Sequence, residues 1–402
     1  MIWTFRIVVG NLLLLVHGPG ILSALKDLLI EPMRRAWMEV DSRALRANYA
    51  AITQRIPTGC AVLPMVKADA YGVGASLAIR TLRGLNPWGF GVATVEEGLE
   101  VRANGWEGPV VVFTPMIPAD LPEIFDHGME PVVCGIAALR ECATAGRSRR
   151  AAVPVHLEVD TGMGRFGLEW SKAGQWSREV AAAAEDGGLA LRSTFTHFHS
   201  AETDRTASLE QWRRLQTALD ALREAGVQTG MVHAANSAAI LEYSGVDGDM
   251  VRAGVWLYGA EVCGQRSEVV ASVRTRVLDV RDVSRGATVS YGATYRTPAA
   301  ARLATLGIGY ADGLPRTLSG CGRVLIKGRS APIRGVVSMD STVVDVTGHE
   351  NVVPGDVATV MGRDGNEEIA VEELATACGT ISYEILTGWS NRVPRIGYDG
   401  DA

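Results

Sequence analysis

Short apolar runs alternate with amphipathic stretches eight times between residues 61 and 252, and that alternation leaves few folds open. The runs at 61–66, 89–93, 110–113, 130–133, 154–159, 190–197, 231–234 and 250–252 have the length and composition of strands buried on both faces. Around them, apolar residues recur at helical spacing, as at Leu45, Tyr49, Ile52 and Ile56, with Asp41 or Ser42 as the cap. Thr94 with Glu97 predicts a capping box, on a helix that closes near Gly105. Longer helices are predicted around 171–185 and 209–225. Eight strands separated by helices over about two hundred residues is the count of a (β/α)8 barrel.

Beyond residue 273 the pattern changes. Runs rich in β-branched residues at 273–283, 303–308, 324–326, 333–337, 342–346 and 357–361 are punctuated by Gly and Pro, with no helices of comparable length. The fold class read from this is α/β: a (β/α)8 barrel over residues 33–262, then a mainly β domain over 263–402. A chain of 402 residues is long enough to bury both cores. The net charge of −6 gives no reason to expect a nucleic-acid or polyanion partner. The six cysteines lack CxxC or metal-ligand spacing, which points to a reducing, cytoplasmic compartment and to no metal site.

Residues 1–32 stand apart as an N-terminal extension. The apolar stretch 7–16, interrupted by Asn11, is too short to span a bilayer. It offers a weak signal-peptide reading, with Arg6 ahead of it and a poor cleavage site, which would send the protein to the periplasm. The favoured reading is a mis-called start, with Met33 as the true first residue.

The chemistry centres on residues 64–74, Pro-Met-Val-Lys-Ala-Asp-Ala-Tyr-Gly-Val-Gly. A lysine at the mouth of a buried strand, beside a turn, is placed to bond an aldehyde cofactor. A bare strand-end lysine is more often simply solvated, so the context decides. That context resembles the K-A-D-A-Y-G-x-G motif of the alanine racemases, which carry pyridoxal 5'-phosphate on this lysine. The resemblance continues in order from about Met33 to Arg395 and implies the barrel-plus-β-domain fold.

Each remaining candidate follows from a matching segment. In the first motif the resemblance makes Lys67 catalytic and cofactor-binding, with Tyr71 also at the cofactor. After the seventh run, Asn236 and Ser237 match cofactor-binding positions, and after the eighth so do Gly254 and Val255; Ser237, Gly254 and Val255 would hold the phosphate. A helix cap or a plain turn is the ordinary fate of such residues, but both fall after the strands where barrels bind phosphate. Arg252 would face the pyridine nitrogen. Because arginine keeps its proton, it would leave that nitrogen largely unprotonated, which suits racemisation better than transamination. Asp160 to Gly167 resembles D-T-G-M-x-R-x-G, whose arginine, here Arg165, supports the cofactor's 3-hydroxyl and the substrate carboxylate. His197 matches the histidine packed on the ring, and Tyr383 a tyrosine near the phosphate.

In the β domain, residues 289–295 resemble the motif whose first tyrosine, here Tyr291, is the opposing acid/base. With a reference pKa near ~10 it would need a neighbouring cation or hydrogen bond to act at neutral pH. Tyr310, Met339 and Asp340 match substrate-binding positions at the entrance.

The resemblance implies an isomerase interconverting L- and D-alanine by two-base transfer of the α-proton, supplying D-alanine for peptidoglycan, in a head-to-tail homodimer with shared active sites. A serine or broad-specificity racemase on the same scaffold is the alternative. A related decarboxylase would lack the Tyr291 motif, and a barrel-only cofactor carrier would lack the second domain. Three departures bear on this. Val336 stands where arginine is usual, and His199-Ser200 where smaller residues are common. Glu158 occupies a position often held by a carbamylated lysine; its charge is expected to be permanent, lowered in pKa by a bond to Arg165.

Overall fold

A computed structural model of the chain describes residues 5–9, 12–16, 34–185 and 187–399. Most of the extension 1–32 lies outside the described residues. Within it, Phe5–Val9 and Leu12–Val16 pair as an antiparallel two-stranded ribbon. No helix among the described residues is long and apolar enough to cross a membrane.

The chain divides into two compact units. One comprises Met38–Ser272, Ile369–Trp389 and Arg395 onward; the other comprises Val273–Glu368, Ser390–Pro394 and the chain up to Trp37.

The first unit is a barrel. Its eight strands are Ala61–Pro64, Phe90–Val92, Val110–Val112, Glu130–Val133, Val153–Asp160, Leu189–Phe195, Met231–His233 and Met250–Ala253. The second to seventh form one parallel sheet, and the eighth pairs in parallel with the first. Backbone bonds close both seams: Val66 N–H to Gly91 O at 2.8 Å, and Asp249 N–H to Val232 O at 2.7 Å. The strands are short because each needs only to cross a core covered on both faces. Val110, Val111 and Val112 are all buried, and burying each such side chain contributes roughly 1.5–3 kcal/mol.

Helices start where their caps predict. Asp41 accepts from Arg43 and Ala44 N–H at the head of Ser42–Arg55, and Thr94 with Glu97 forms the expected capping box before Val95–Ala103. The last strand returns to this unit: Arg395–Tyr398 pairs in parallel with Met38–Asp41.

The second unit is built on an antiparallel sheet. Its strand order is Arg329–Pro332, Arg323–Ile326, Val357–Asp364, Ala271–Val283, Ala301–Leu306 and Thr342–Asp345. One expected run needs correction. Residues 333–337 are not a strand; pairing ends at Pro332, and Ile333 makes only a single bridge to Val344. Gly335 then turns the chain at φ +72°, where any Cβ would lie 2.7 Å from Val289 O. A separate two-stranded ribbon, Thr288–Val289 with Tyr295–Arg296, carries Tyr291 in its loop.

Candidate active site

The C-terminal ends of the barrel strands surround one cavity of about 480 Å³. Lys67, Tyr71, Arg165, His197, Asn236, Ser237, Arg252, Gly254, Val255 and Tyr383 all line it, as do Met65, Phe113 and Ile381.

Lys67 leaves the first strand into a turn of unusual hand. Ala68, Asp69, Ala70 and Tyr71 all have φ between +52° and +56°, a left-handed helical turn with no glycine in it. Each such residue costs about 1–2 kcal/mol against a right-handed one, so the turn must be held from outside. Glu97 Oε1 accepts from Ala68 N–H at 2.7 Å, and Asp69 Oδ1 from Ala75 N–H at 2.7 Å. Arg395 Nε donates to Gly72 O at 2.9 Å. Gly72 itself has no alternative, since a Cβ there would lie 2.0 Å from Leu386 O. Burial and then Arg165 pull the Lys67 ammonium below the ordinary lysine range, Glu97 opposing and Arg252 assisting.

Tyrosines form the adjoining wall. Tyr71 stacks on Tyr258 at 5.1 Å and meets Tyr383 at 6.1 Å, and Tyr258 Oη donates to Met65 O at 2.7 Å. Burial pushes the Tyr71 phenol up to about 12. Tyr383 is raised too, by burial and then by Glu202, to whose carboxylate it donates at 3.2 Å. Asn236 caps Ser237–Glu242 through Ala239 N–H, and Ser237 Oγ accepts from Gly254 N–H at 3.1 Å. At Gly254 a Cβ would lie 2.7 Å from Tyr71 Oη and 3.5 Å from Ser237 Oγ. The backbone is thus left bare beside two hydroxyls, those of Tyr71 and Ser237, a cradle that fits a phosphate.

Arg252, also in the cavity wall, is buried. Its Nη1 donates to His233 Nδ1 at 2.6 Å; its Nη2 reaches Thr196 O and Ala234 O, each at 2.9 Å, and His197 Nδ1 at 3.2 Å. Burial lowers its pKa to about 10, so it remains a cation at neutral pH. His197, under burial and then the Arg252 charge, falls to about 3 and is neutral. His233, which ends the seventh strand, has no sequence signal beyond that place at a strand end.

The expectation for Glu158 is overturned. Glu158 is 4% exposed and accepts from the Cys134 thiol at 3.3 Å, while Arg165 lies exposed over the Phe166 ring at 5.6 Å. Burial raises the Glu158 carboxyl above its ordinary value, outweighing the Cys134 bond and the Arg165 charge. The turn carrying Arg165 is instead shaped by Asp160, whose Oδ1 accepts from Gly162 and Gly164 N–H.

The other candidates lie in the β unit. Tyr291 is 72% exposed at the tip of its loop, where Ser290, Gly292 and Ala293 all have positive φ and Ser290 Oγ bonds Val336 O. Tyr310 and Met339 are exposed, and their segments are tied by Tyr310 N–H to Ser338 O at 3.0 Å. Asp340 accepts from Arg392 at 2.6 Å. Behind them sits a buried carboxylate that the sequence reading did not single out: Asp312 takes Arg35 at 2.6 Å and Arg392 at 3.1 Å.

Eight parallel strands with a lysine-bearing cavity at their C-terminal ends place this chain in the class of barrel enzymes that keep their chemistry on that face. Residues 40–262 match the alanine racemase N-terminal domain and residues 270–397 the alanine racemase C-terminal domain. An alanine racemase from Desulfosudis oleivorans is 37% identical over 91% of this chain and 97% of its own. The crystal structure of alanine racemase from D-cycloserine-producing Streptomyces lavendulae has a TM-score of 0.87 at 32% identity, covering 91% of this chain and 98% of that one. The alanine racemase of Bartonella henselae, solved with covalently bound pyridoxal phosphate, has a TM-score of 0.82 at 28% identity over 90% and 99%. The chain belongs to the alanine racemase family.

Proposed function

We propose that the protein is a pyridoxal-phosphate-dependent racemase that interconverts L- and D-alanine by two-base transfer of the α-proton. The observation that carries this is the gathering around one cavity of the ten residues that the resemblance assigns to the cofactor. When bound, pyridoxal phosphate acidifies the α-proton of an attached amino acid by drawing charge into its ring. Lys67 holds the group and serves as one base; its lowered pKa increases the neutral fraction of the amine. Tyr71, Ser237, Gly254 and Val255 take the phosphate, with Asn236 and Tyr383 beside it. Arg252, positive but unwilling to part with its proton, donates to the ring nitrogen, and neutral His197 packs against the ring. Arg165 steadies the 3-hydroxyl and the substrate carboxylate.

Tyr291, supplied by a second copy of the chain, is the opposing base. Its exposed loop supports that assignment, because a hydroxyl so presented is available to another subunit. Tyr310, Met339 and Asp340 line the entrance. The protein then acts as a cytoplasmic homodimer, supplying D-alanine for peptidoglycan. Chiral assay of the purified protein with a panel of L-amino acids tests this reading: alanine should be inverted fastest, and a preference for serine or for several residues would replace it with the broader specificity.

A further inference from the structure

Five consecutive barrel strands, the fourth to the eighth, each contribute one buried polar side chain to a continuous hydrogen-bonded line. Glu130 begins it, with Oε2 2.9 Å from His156 Nε2. His156 Nδ1 lies 2.6 Å from Ser193 Oγ, which lies 3.0 Å from His233 Nε2. His233 Nδ1 then meets Arg252 at 2.6 Å. The three middle residues are wholly buried. Aromatic rings hold both imidazoles: His233 stacks on Phe195 at 4.7 Å, and His156 meets the Trp88 ring edge-on at 6.1 Å.

The line has one consistent direction. A guanidinium only donates, so His233 accepts at Nδ1 and carries its proton on Nε2. That proton goes to Ser193 Oγ, and the serine's own proton goes to His156 Nδ1. His156 therefore carries its proton on Nε2 and gives it to Glu130, which accepts as a carboxylate. A cationic His156 would direct a second N–H at Ser193 and leave the serine hydrogen without an acceptor on the line. The charges agree with this polarity. Burial raises the Glu130 carboxyl, but the hydrogen bond from His156 and the Arg192 guanidinium, whose Nε lies 3.5 Å away, hold it below its ordinary value. Burial and then Arg252 keep His233 well below its own, hence neutral.

We propose that Glu130, His156 and Ser193 are positioning residues for the cofactor site: their one-way line keeps His233 an acceptor and thereby fixes the Arg252 guanidinium in orientation and charge. The inference rests on the reading of Arg252 as the partner of the cofactor's ring nitrogen. Arg252 forms no ion pair among the described residues; Glu158 is the carboxylate whose charge supports it, and the line itself ends on a second carboxylate, Glu130, three side chains away.

The test uses histidine-15N-labelled holoenzyme. His156 and His233 should each show a bare Nδ1 and a protonated Nε2 at neutral pH. A cationic His156, or a proton on Nδ1 of either ring, overturns the proposal without any variant being needed. Ser193→Ala, which cuts the line in the middle, should weaken retention of pyridoxal phosphate about tenfold (about 1.4 kcal/mol) and shift the pH dependence of its absorbance band. Ser193→Thr, which keeps the hydroxyl, should restore both. Unchanged retention and band in Ser193→Ala refute the positioning role. Arg252→Lys separates the two readings: if it leaves the band and retention untouched while the 15N pattern is as expected, the placement of Arg252 against the ring has failed rather than the line itself.

Discussion

Ala68→Gly should make this protein more stable, against the usual effect of that exchange. Ala68 sits at φ +52°, ψ +51°, with its side chain exposed, so removing the methyl forfeits no packing. In the left-handed region the methyl costs about 1–2 kcal/mol, which glycine avoids. Against that stands the greater freedom of glycine in the unfolded chain, about 0.4–1 kcal/mol. The difference is a net gain of about 0.8 kcal/mol. Ala68→Val moves the other way, because a β-branched residue is a genuine outlier at positive φ. Paired thermal unfolding of the two variants and the parent, at equal cofactor concentration, gives the measurement. The glycine variant should melt higher, by about 1–2 °C for a chain of this length, and the valine variant lower. If glycine destabilises as much as valine does, the turn after Lys67 is not left-handed and the strain argument fails.

Borohydride treatment of the holoenzyme should fix the cofactor on Lys67, and mass spectrometry that finds it on another lysine would refute the site. Tyr291→Phe should retain the cofactor yet lose proton abstraction from L-alanine; deuterium exchange into the L-substrate at the parental rate would rule that base out. Glu158 has a carboxyl raised in the folded state, so folding favours its protonated form and its contribution is lost as pH rises through that raised value. Glu158→Gln should therefore raise the melting temperature at neutral pH, with the gap closing as pH falls toward the ordinary glutamate value near ~4.3. A melting difference that is flat with pH would refute that assignment.

The barrel was legible because its strands are buried on both faces and so spell themselves as unbroken apolar runs. The ten cavity residues were proposed from motifs of the resembled family; for those after the seventh and eighth strands, the rule that barrels carry chemistry just beyond strand ends pointed the same way. The left-handed turn left no trace, since Ala, Asp, Ala and Tyr give no signal for positive φ, and the forces holding it come from Glu97 and Arg395. The partner of Glu158 was misjudged because the family resemblance pointed to Arg165, whereas the neighbouring strand brings Cys134 to the carboxylate. The line from Glu130 to Arg252 draws one residue from each of five strands and has no local pattern at all. Nor does residue order reveal that Ile369–Trp389, which brings Tyr383, lies with the barrel.

That last placement has a consequence for how the molecule is made. Ribosomes extend a chain at roughly 5–20 residues per second, and domains tend to fold in the order they emerge. Residues 254–368 separate the last barrel strand from the segment bearing Tyr383. For some 5–20 seconds of synthesis, then, the nascent barrel has Lys67 and Arg252 in place but an open wall and an unpaired edge at Met38–Asp41. During that interval the cavity lacks Tyr383, so a newly made chain should retain pyridoxal phosphate only after the segment bearing that tyrosine has docked.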